Sequence, residues 1–236
     1  MIKQWLFKTW IGLLTISGLY LTEGNTAQAQ GISFSYLIPK NGYVSAPVSP
    51  FSIRGVGFQV APFTRIESGF SLYSMSGLAM DGLPFPSERP LTGPHFTLLV
   101  PAELVFSVGI GRLGISVMGG GFGHWHINPR INYGEMDRAI REWEGWEVAN
   151  ADLDMEVKLG WGWLAGGGLE YQVNDQFSLT SEVHYLQGFA DSPMTGTYTG
   201  GPDEDGNVIT QPADFHNARI VLEGIEVSLG VRLNPN

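Results

Sequence analysis

Apolar and polar residues alternate along several stretches of this chain, most clearly between Leu153 and Trp163. In that stretch every second position is apolar: Leu153, Met155, Val157, Leu159, Trp161 and Trp163. A period of two places these side chains on one face of a single β-strand. The residues between them are polar or glycine and form the face small enough to point into a barrel, while the apolar face suits lipid and its two Trp suit the headgroup boundary. The pattern therefore predicts a membrane-spanning β-barrel.

Eight segments of the chain are predicted to be strands: 31–38, 51–61, 64–75, 95–107, 113–124, 153–173, 176–190 and 217–233. The connections are alternately long and short. Those at 62–63, 108–112 and 174–175 are tight and contain Pro, Gly, Asn or Asp, whereas 39–50, 76–94, 125–152 and 191–216 are long. In barrels of this kind the short turns face the periplasm and the long loops face outward. We predict an all-β fold, an eight-stranded antiparallel transmembrane up-and-down β-barrel.

The first 29 residues have the features of a secretory signal peptide. Lys3 and Lys8 flank a short basic region, an apolar run follows from Trp10 to Leu21, and Ala27-Gln28-Ala29 has the small-x-small form of a cleavage site. The run is shorter than the roughly 20 residues that a spanning helix needs, so a retained anchor is the weaker alternative. We predict a signal peptide at 1–29 and one barrel domain at 30–236, integral to the bacterial outer membrane.

Composition and charge narrow the function classes. The chain has 32 Gly, 13 Phe, 8 Tyr and 7 Trp, only 15% charged residues and no Cys, so there is neither a lipoprotein acylation site nor a disulfide. Its net charge of −10 excludes nucleic-acid binding through phosphates.

Two segments carry a resemblance to a known family. Val100-Pro101-Ala102-Glu103-Leu104-Val105-Phe106 lies before a Gly turn, and residues 166–179 run from three glycines through a tight turn into the next strand. Together with the strand pattern over 31–233, these segments resemble the small eight-stranded outer-membrane barrels of the OmpA-transmembrane-domain and OmpX type, in the version common in Bacteroidota-like bacteria. The resemblance implies a non-enzymatic barrel with a structural or surface-interaction role. It is specific for the fold and says little about function.

Charged residues within the predicted strands are the first candidates for function. Continuing the alternation along each strand points one set toward the lumen: Arg65, Glu67, Glu103, Arg112, Glu170, Glu182, Glu226 and Arg232. Buried charges must be paired and hydrogen-bonded, so the main prediction is a network of ion pairs that fills the lumen. An eight-stranded barrel is just wide enough for its own side chains, which argues against a wide pore. Because Glu outnumbers Arg in this set, a narrow cation-preferring path is the alternative.

His184 shares the inward face with Glu182 and raises the question of an enzyme. The lipid A deacylases that share this architecture use a His followed two residues later by a Ser, with a carboxylate that orients the His. Leu186 stands at the position of that nucleophile. We therefore favour a structural pair of Glu182 and His184, and we predict no enzymatic activity.

Three further histidines are candidate metal ligands. Folding the hairpin about a turn near residue 110 brings His95 roughly opposite His124, and His126 lies two positions further along the same face. Three imidazoles near the outer rim are a set that a transition metal can use, although a metal also needs fixed geometry and outer hydrogen bonds. The alternative is histidines that only hydrogen-bond to water. No cofactor is predicted.

The long loops are acidic. Loops 76–94, 125–152 and 191–216 contain thirteen Asp and Glu against four Arg. Such loops either project beyond the anionic lipopolysaccharide or bridge to it through divalent cations, which makes outer-membrane lipid, lipopolysaccharide and divalent cations the predicted partners. Residues 135–146 have helical spacing and predict a short amphipathic helix on the rim or over the lumen.

The last loop has β-forming residues at 195–199 and 208–210, which predict that the final two strands continue outside the membrane. Residues 203–207 resemble part of a calcium loop but lack its downstream Glu, so they favour a hairpin tip. Two functions stay open. The first is a non-enzymatic barrel that stabilises the envelope or presents its acidic loops to a partner. The second is a narrow channel or binding barrel for a small molecule or cation, which a resemblance to barrels of the OmpW type would imply.

Overall fold

The computed structural model describes residues 31–40, 49–87, 89–201 and 207–233. Its elements in chain order are β1 (Gly31–Pro39), β2 (Ser49–Ala61), β3 (Thr64–Met75), β4 (Met80–Asp81), β5 (His95–Ile110), β6 (Leu113–Ile127), α1 (Tyr133–Glu144), β7 (Val148–Met155), β8 (Gly160–Gln172), β9 (Phe177–Asp191), β10 (Met194–Gly201), β11 (Ile209–Phe215) and β12 (Arg219–Leu233). The predicted signal peptide at 1–29 lies outside the described residues.

Eight of these strands form a closed antiparallel barrel. Their order in the wall is β1-β2-β3-β5-β6-β8-β9-β12, and β1 pairs with β12 along its whole length to complete the ring. Closure leaves no free edge in the wall, which a β-structure needs if it is to cross a bilayer. The predicted eight-stranded antiparallel barrel is confirmed.

Side chains alternate between the two faces of the barrel wall. Along β5, Glu103 and Val105 are buried in the lumen, whereas Leu104 and Phe106 are 40% and 49% exposed on the outside. The outer faces of the other barrel strands are apolar in the same way and include Phe34, Phe58, Ile66, Phe70, Val117, Leu169, Val183 and Leu229. The wall therefore presents a surface that suits lipid acyl chains. No helix in the described part of the chain has the length and apolar character needed to cross a membrane.

A second, smaller sheet lies at the barrel end away from the short turns. Its antiparallel order is β11-β10-β7. β7 leads into β8, β10 follows β9 and β11 leads into β12, so this sheet continues three neighbouring strands of the wall. The predicted extension of the final two strands is present as β10 and β11, while residues 202–206 at the tip of their hairpin lie outside the described residues. We call β7, β10, β11 and α1 together the cap.

The prediction of one strand over 153–173 is wrong, because the chain changes sheets within it. Met155 pairs with Met194, and Trp161 pairs with Phe189. Between these two pairs the chain advances six residues from Met155 to Trp161 but only five from Phe189 to Met194. The extra residue between β7 and β8 is a β-bulge, which reverses the face that every second side chain occupies. Leu153 is therefore buried in the cap, whereas Trp161 is 64% exposed on the outer wall. The continuous alternation of the sequence hides this reversal.

The helix α1 closes the cap over its sheet. Met136, Ala139 and Ile140 are buried, and the helix packs against β7. It ends at Gly145, whose φ of 71° is a left-handed conformation that glycine adopts without steric cost. The amphipathic helix predicted over 135–146 is present at Tyr133–Glu144, so it begins and ends two residues earlier than predicted.

Candidate functional site

The lumen contains a set of ion pairs that cross from one side of the barrel to the other. Arg54 on β2 donates from Nη1 to Glu103 Oε1 on β5 at 3.0 Å, and from Nη2 to Glu226 Oε1 on β12. Their side chains are 7%, 6% and 0% exposed. Since β2, β5 and β12 are not neighbours in the wall, the two bonds span the interior. Arg54 thus neutralises two buried carboxylates at once.

His184 on β9 extends this set to the opposite wall. Its Nε2 lies 3.3 Å from Glu103 Oε2 and 2.8 Å from Met118 Sδ on β6. The predicted partner Glu182 lies on the same strand but contacts Arg232 instead. A His and a Glu two residues apart on a strand share a face, yet their tips diverge toward different partners across the lumen.

A second group of charges lies closer to the short turns. Arg232 Nη1 donates to Glu170 Oε2 at 2.9 Å, and its Nη2 lies 3.5 Å from Glu67 Oε2 and 3.7 Å from Glu182 Oε1. Arg65 pairs with Glu67 and donates to Ser107 Oγ at 2.9 Å. The structure thus gathers the predicted lumen charges of five strands, together with Arg54 of β2, into two groups. We call the groups around Arg54 and Arg232 the upper and lower networks.

Arg112 stands apart from these networks. It is exposed in the turn between β5 and β6, which is shorter than predicted because β5 continues to Ile110. Arg112 borders a cavity of about 420 Å³ at the turn end of the barrel, together with Arg65, Glu170 and Ser178. The lumen is therefore open to water at this end, up to the lower network.

Arg54, the residue that joins the upper network, is not among the lumen charges that the alternation predicts. Gly55 has a φ of 76°, and the register between β2 and β3 shifts between Ile53 and Val56, which marks a bulge. Alternation traced back from the outward Val56 and Phe58 would put Arg54 on the lipid face. The residue type itself could have indicated the inward position, because an Arg in an otherwise apolar barrel strand is destabilising unless it points into the lumen.

The three candidate metal ligands are buried rather than at an exposed rim. His95, His124 and His126 are 6%, 1% and 1% exposed. The true register places His126 opposite Thr97 and His124 opposite Leu99, so His95 does not face His124 as predicted. The error follows from the turn, which lies at 111–112 and not near residue 110.

The contacts among these rings do not converge on one point. His95 Nε2 lies 3.1 Å from His126 Nδ1, which also lies 2.8 Å from Thr97 Oγ1. Nδ1 of His126 is thus engaged by two neighbouring side chains. Among the described residues, no group of three or more His, Asp or Glu side chains has an arrangement that could hold a metal ion. The geometry of the described residues therefore gives no support to a metal site at these three histidines.

An apolar layer fills the opposite end of the lumen and continues into the cap. Leu99, Leu164 and Leu186 lie on the inner wall with at most 2% exposure, and the same cluster includes Met136, Ile140, Leu153, Met194, Tyr198 and Phe215 of the cap. Trp143 and Trp146 stack near Tyr198, with ring centroids 6.2 and 5.7 Å away. Burial raises the pKa of Tyr198 to about 12, and the hydroxyl donates to Glu144 Oε1 at 2.8 Å. We call this layer the roof.

His184 is the imidazole of the upper network. Leu186, two residues along the strand, is fully buried and supplies no nucleophile at that position. From the turn end outward, the lumen passes through a water-accessible cavity, the lower network, the upper network and the roof.

Comparison with known proteins supports the fold. No family model and no curated protein matches the sequence. Among solved structures, the outer membrane protein OprG from Pseudomonas aeruginosa is similar with a TM-score of 0.53 and 10% identity, over 90% of this chain and 97% of that chain. Neisserial surface protein A has a TM-score of 0.43 and 14% identity, over 90% of this chain and 100% of that chain. Outer membrane protein W of E. coli has a TM-score of 0.36 and 11% identity, over 86% of this chain and 98% of that chain.

The chain thus has the fold of the small eight-stranded outer-membrane β-barrels. The resemblance predicted from the sequence is confirmed at the level of fold, and an identity of 10% carries nothing further.

Proposed function

We propose that the protein is a non-enzymatic integral barrel of the bacterial outer membrane, closed to solutes, that presents its acidic cap to the outside. The bridge from Arg54 to Glu103 and Glu226 is the observation that carries this proposal. It spans an interior that in eight-stranded barrels is already narrow. A solute would have to break two buried ion pairs and then pass the roof.

The exposed face of the cap supports a surface role. Asp152 and Asp154 on β7 and Asp214 on β11 are exposed, and Thr195 and Thr197 lie between them on β10. This sheet face points away from the buried residues of the cap and carries carboxylates without Lys or Arg on the described strands. Its chemistry fits divalent cations that bridge the cap to lipopolysaccharide, or a basic partner.

A narrow cation path is the second candidate, and the cavity of about 420 Å³ at the turn end favours it. Glu170 lines this cavity, and Glu67 and Glu182 also lie around the guanidinium of Arg232. A path would need the roof to open, and the roof is built around a cluster of buried apolar side chains.

Single-channel recording of the refolded full chain in planar bilayers separates the two candidates. A closed barrel is expected to give no discrete current steps, and Glu103→Gln is expected to lower stability without creating conductance. Cation-selective steps in the unmodified protein, reduced in selectivity by Glu103→Gln, would replace the first proposal with the second.

A further inference from the structure

Charged side chains on the outer wall of the barrel are confined to one place. Among the described outward-facing residues of the eight barrel strands, the charged ones are Asp191, Arg219 and Glu223. All three lie near the cap end of β9 and β12. A charge on the lipid face is destabilising at the bilayer midplane and costs little near the interface, so this cluster marks the headgroup level.

Hydrogen bonds and ion pairs hold the side chains of this cluster in place. Glu223 accepts hydrogen bonds from Lys40 Nζ at 2.6 Å and from the Tyr185 hydroxyl. Arg219 donates to Asp191 Oδ1 at 3.0 Å, and its guanidinium lies 4.7 Å from the centre of the Phe189 ring. Each charge is thus paired before any ligand arrives.

Two exposed Trp side chains stand beside this cluster on β8. Trp161 packs against Phe189 with ring centroids 5.1 Å apart, and Trp163 packs against Tyr185 at 5.6 Å. Both Trp remain largely exposed, at 64% and 47%. Their neighbours hold them in place, and their free faces are available to a ligand.

Trp161, Trp163, Phe189, Arg219 and Glu223 line a groove of about 520 Å³ on the outer wall. Asp81 and Asn217 contribute at its cap end, and Gln187 and Glu223 contribute between the two Trp and β12. The groove therefore combines aromatic faces with carboxylate and amide groups, at the level where lipid headgroups lie.

We propose that this groove binds the sugar headgroup of an outer-leaflet glycolipid, which the lipid phase supplies from the side. Trp161 and Trp163 stack on the apolar faces of the sugar rings, while Gln187, Asn217 and Asp81 take their hydroxyl and amide groups. Arg219, the one cation that lines the groove, is already paired with Asp191, so the charge balance favours a sugar over a phosphate alone. The inference rests on the outer-membrane location proposed above.

Native mass spectrometry of the refolded full chain, titrated with defined lipids, tests the assignment. The probes are lipid A, its monophosphorylated form and phosphatidylglycerol. The two lipid A forms are expected to bind within about threefold of each other, and phosphatidylglycerol at least about tenfold more weakly, because it has phosphate without an amino sugar. Equal binding of phosphatidylglycerol would overturn the assignment in favour of a general anionic-lipid site.

The variant Trp161→Ala/Trp163→Ala is expected to weaken lipid A binding about tenfold, because it removes both stacking faces. Trp125→Ala is the matched control. Trp125 is also an outward Trp near the cap end, 39% exposed on β6, but it does not line the groove. Equal losses in the two variants would overturn the proposal, and the heat-dependent gel mobility of each variant checks that the barrel has folded.

Membrane fractionation tests the location independently. Recovery of the protein in the inner membrane, together with selective binding of lipid A by the groove, would overturn the proposed location and leave the groove assignment in place.

Discussion

At the scale of single residues, the lumen depends on Arg54. One guanidinium serves Glu103 and Glu226, which lie on strands at opposite sides of its own. In a buried site the loss of one partner costs more than the pair contributes, because the remaining charge is left without water or a counter-charge. Two carboxylates would be stranded together if Arg54 were removed.

Arg54→Met is therefore expected to lower the free energy of unfolding by about 3–5 kcal/mol. Urea-induced unfolding of the refolded barrel, followed by Trp fluorescence, measures the change. The matched variant Arg54→Met with Glu103→Gln and Glu226→Gln removes the stranded charges and is expected to recover most of the loss. An equal loss in the single and triple variants would show that Arg54 acts through packing and not through its charge.

Several individual residues could be placed from the sequence, and others could not. Glu103 and Arg232 follow the simple alternation of β5 and β12 and lie in the lumen. The inward position of Arg54 depends on the bulge at Gly55, and the position of His95 depends on a turn that lies one or two residues from the predicted one. A period of two reverses with every single-residue shift, so errors that hardly alter a strand's boundaries reassign all its side chains.

At the scale of elements, the alternation of the barrel strands has a depth-dependent consequence. Leu104 lies in the middle of β5 and Ile110 at its turn end, both on the outer face. The lipid environment changes along this one strand from acyl chains to headgroups.

Leu104→Arg is expected to destabilise the barrel by about 2–4 kcal/mol, and Ile110→Arg by no more than about 1 kcal/mol, because only the first places a charge among acyl chains. Unfolding in lipid vesicles, where the acyl region is present, is the appropriate measurement. If both substitutions have the same cost, the strand does not cross the bilayer at the depth proposed.

The barrel strands were predictable because lipid and lumen impose opposite demands on alternate residues. The cap was predictable only in parts. The helical spacing of α1 and the β-forming residues of β10 and β11 are visible in the sequence. The sequence does not show that Leu153 belongs to the cap instead of the wall. Cap and wall both bury apolar side chains on a strand of period two, so the pattern looks the same in either place.

At the scale of the whole molecule, the proposed topology places the cap outside the cell and the short turns in the periplasm. The chain contains no Cys, so single thiols can be introduced without background. Asp152 lies on the exposed face of the cap and Asp175 in the turn between β8 and β9, and both are exposed.

Asp152→Cys is expected to react with a membrane-impermeant maleimide added to intact cells, whereas Asp175→Cys is expected to react only after the outer membrane is opened. The two positions have similar exposure, so the difference reports the side of the membrane. The reverse pattern would invert the barrel and move the cap to the periplasm.

The bulge between β7 and β8 also limits how this protein can change in length. An insertion of one residue at 156–159 would turn Leu153 toward solvent or Trp161 toward the lumen, whereas an insertion of two would preserve both faces. Length variation at this joint is therefore tolerated in even steps, unlike variation in an ordinary surface loop, where any number of residues is accommodated. At the joint between wall and cap, only insertions of an even number of residues keep the buried and lipid-facing side chains in place.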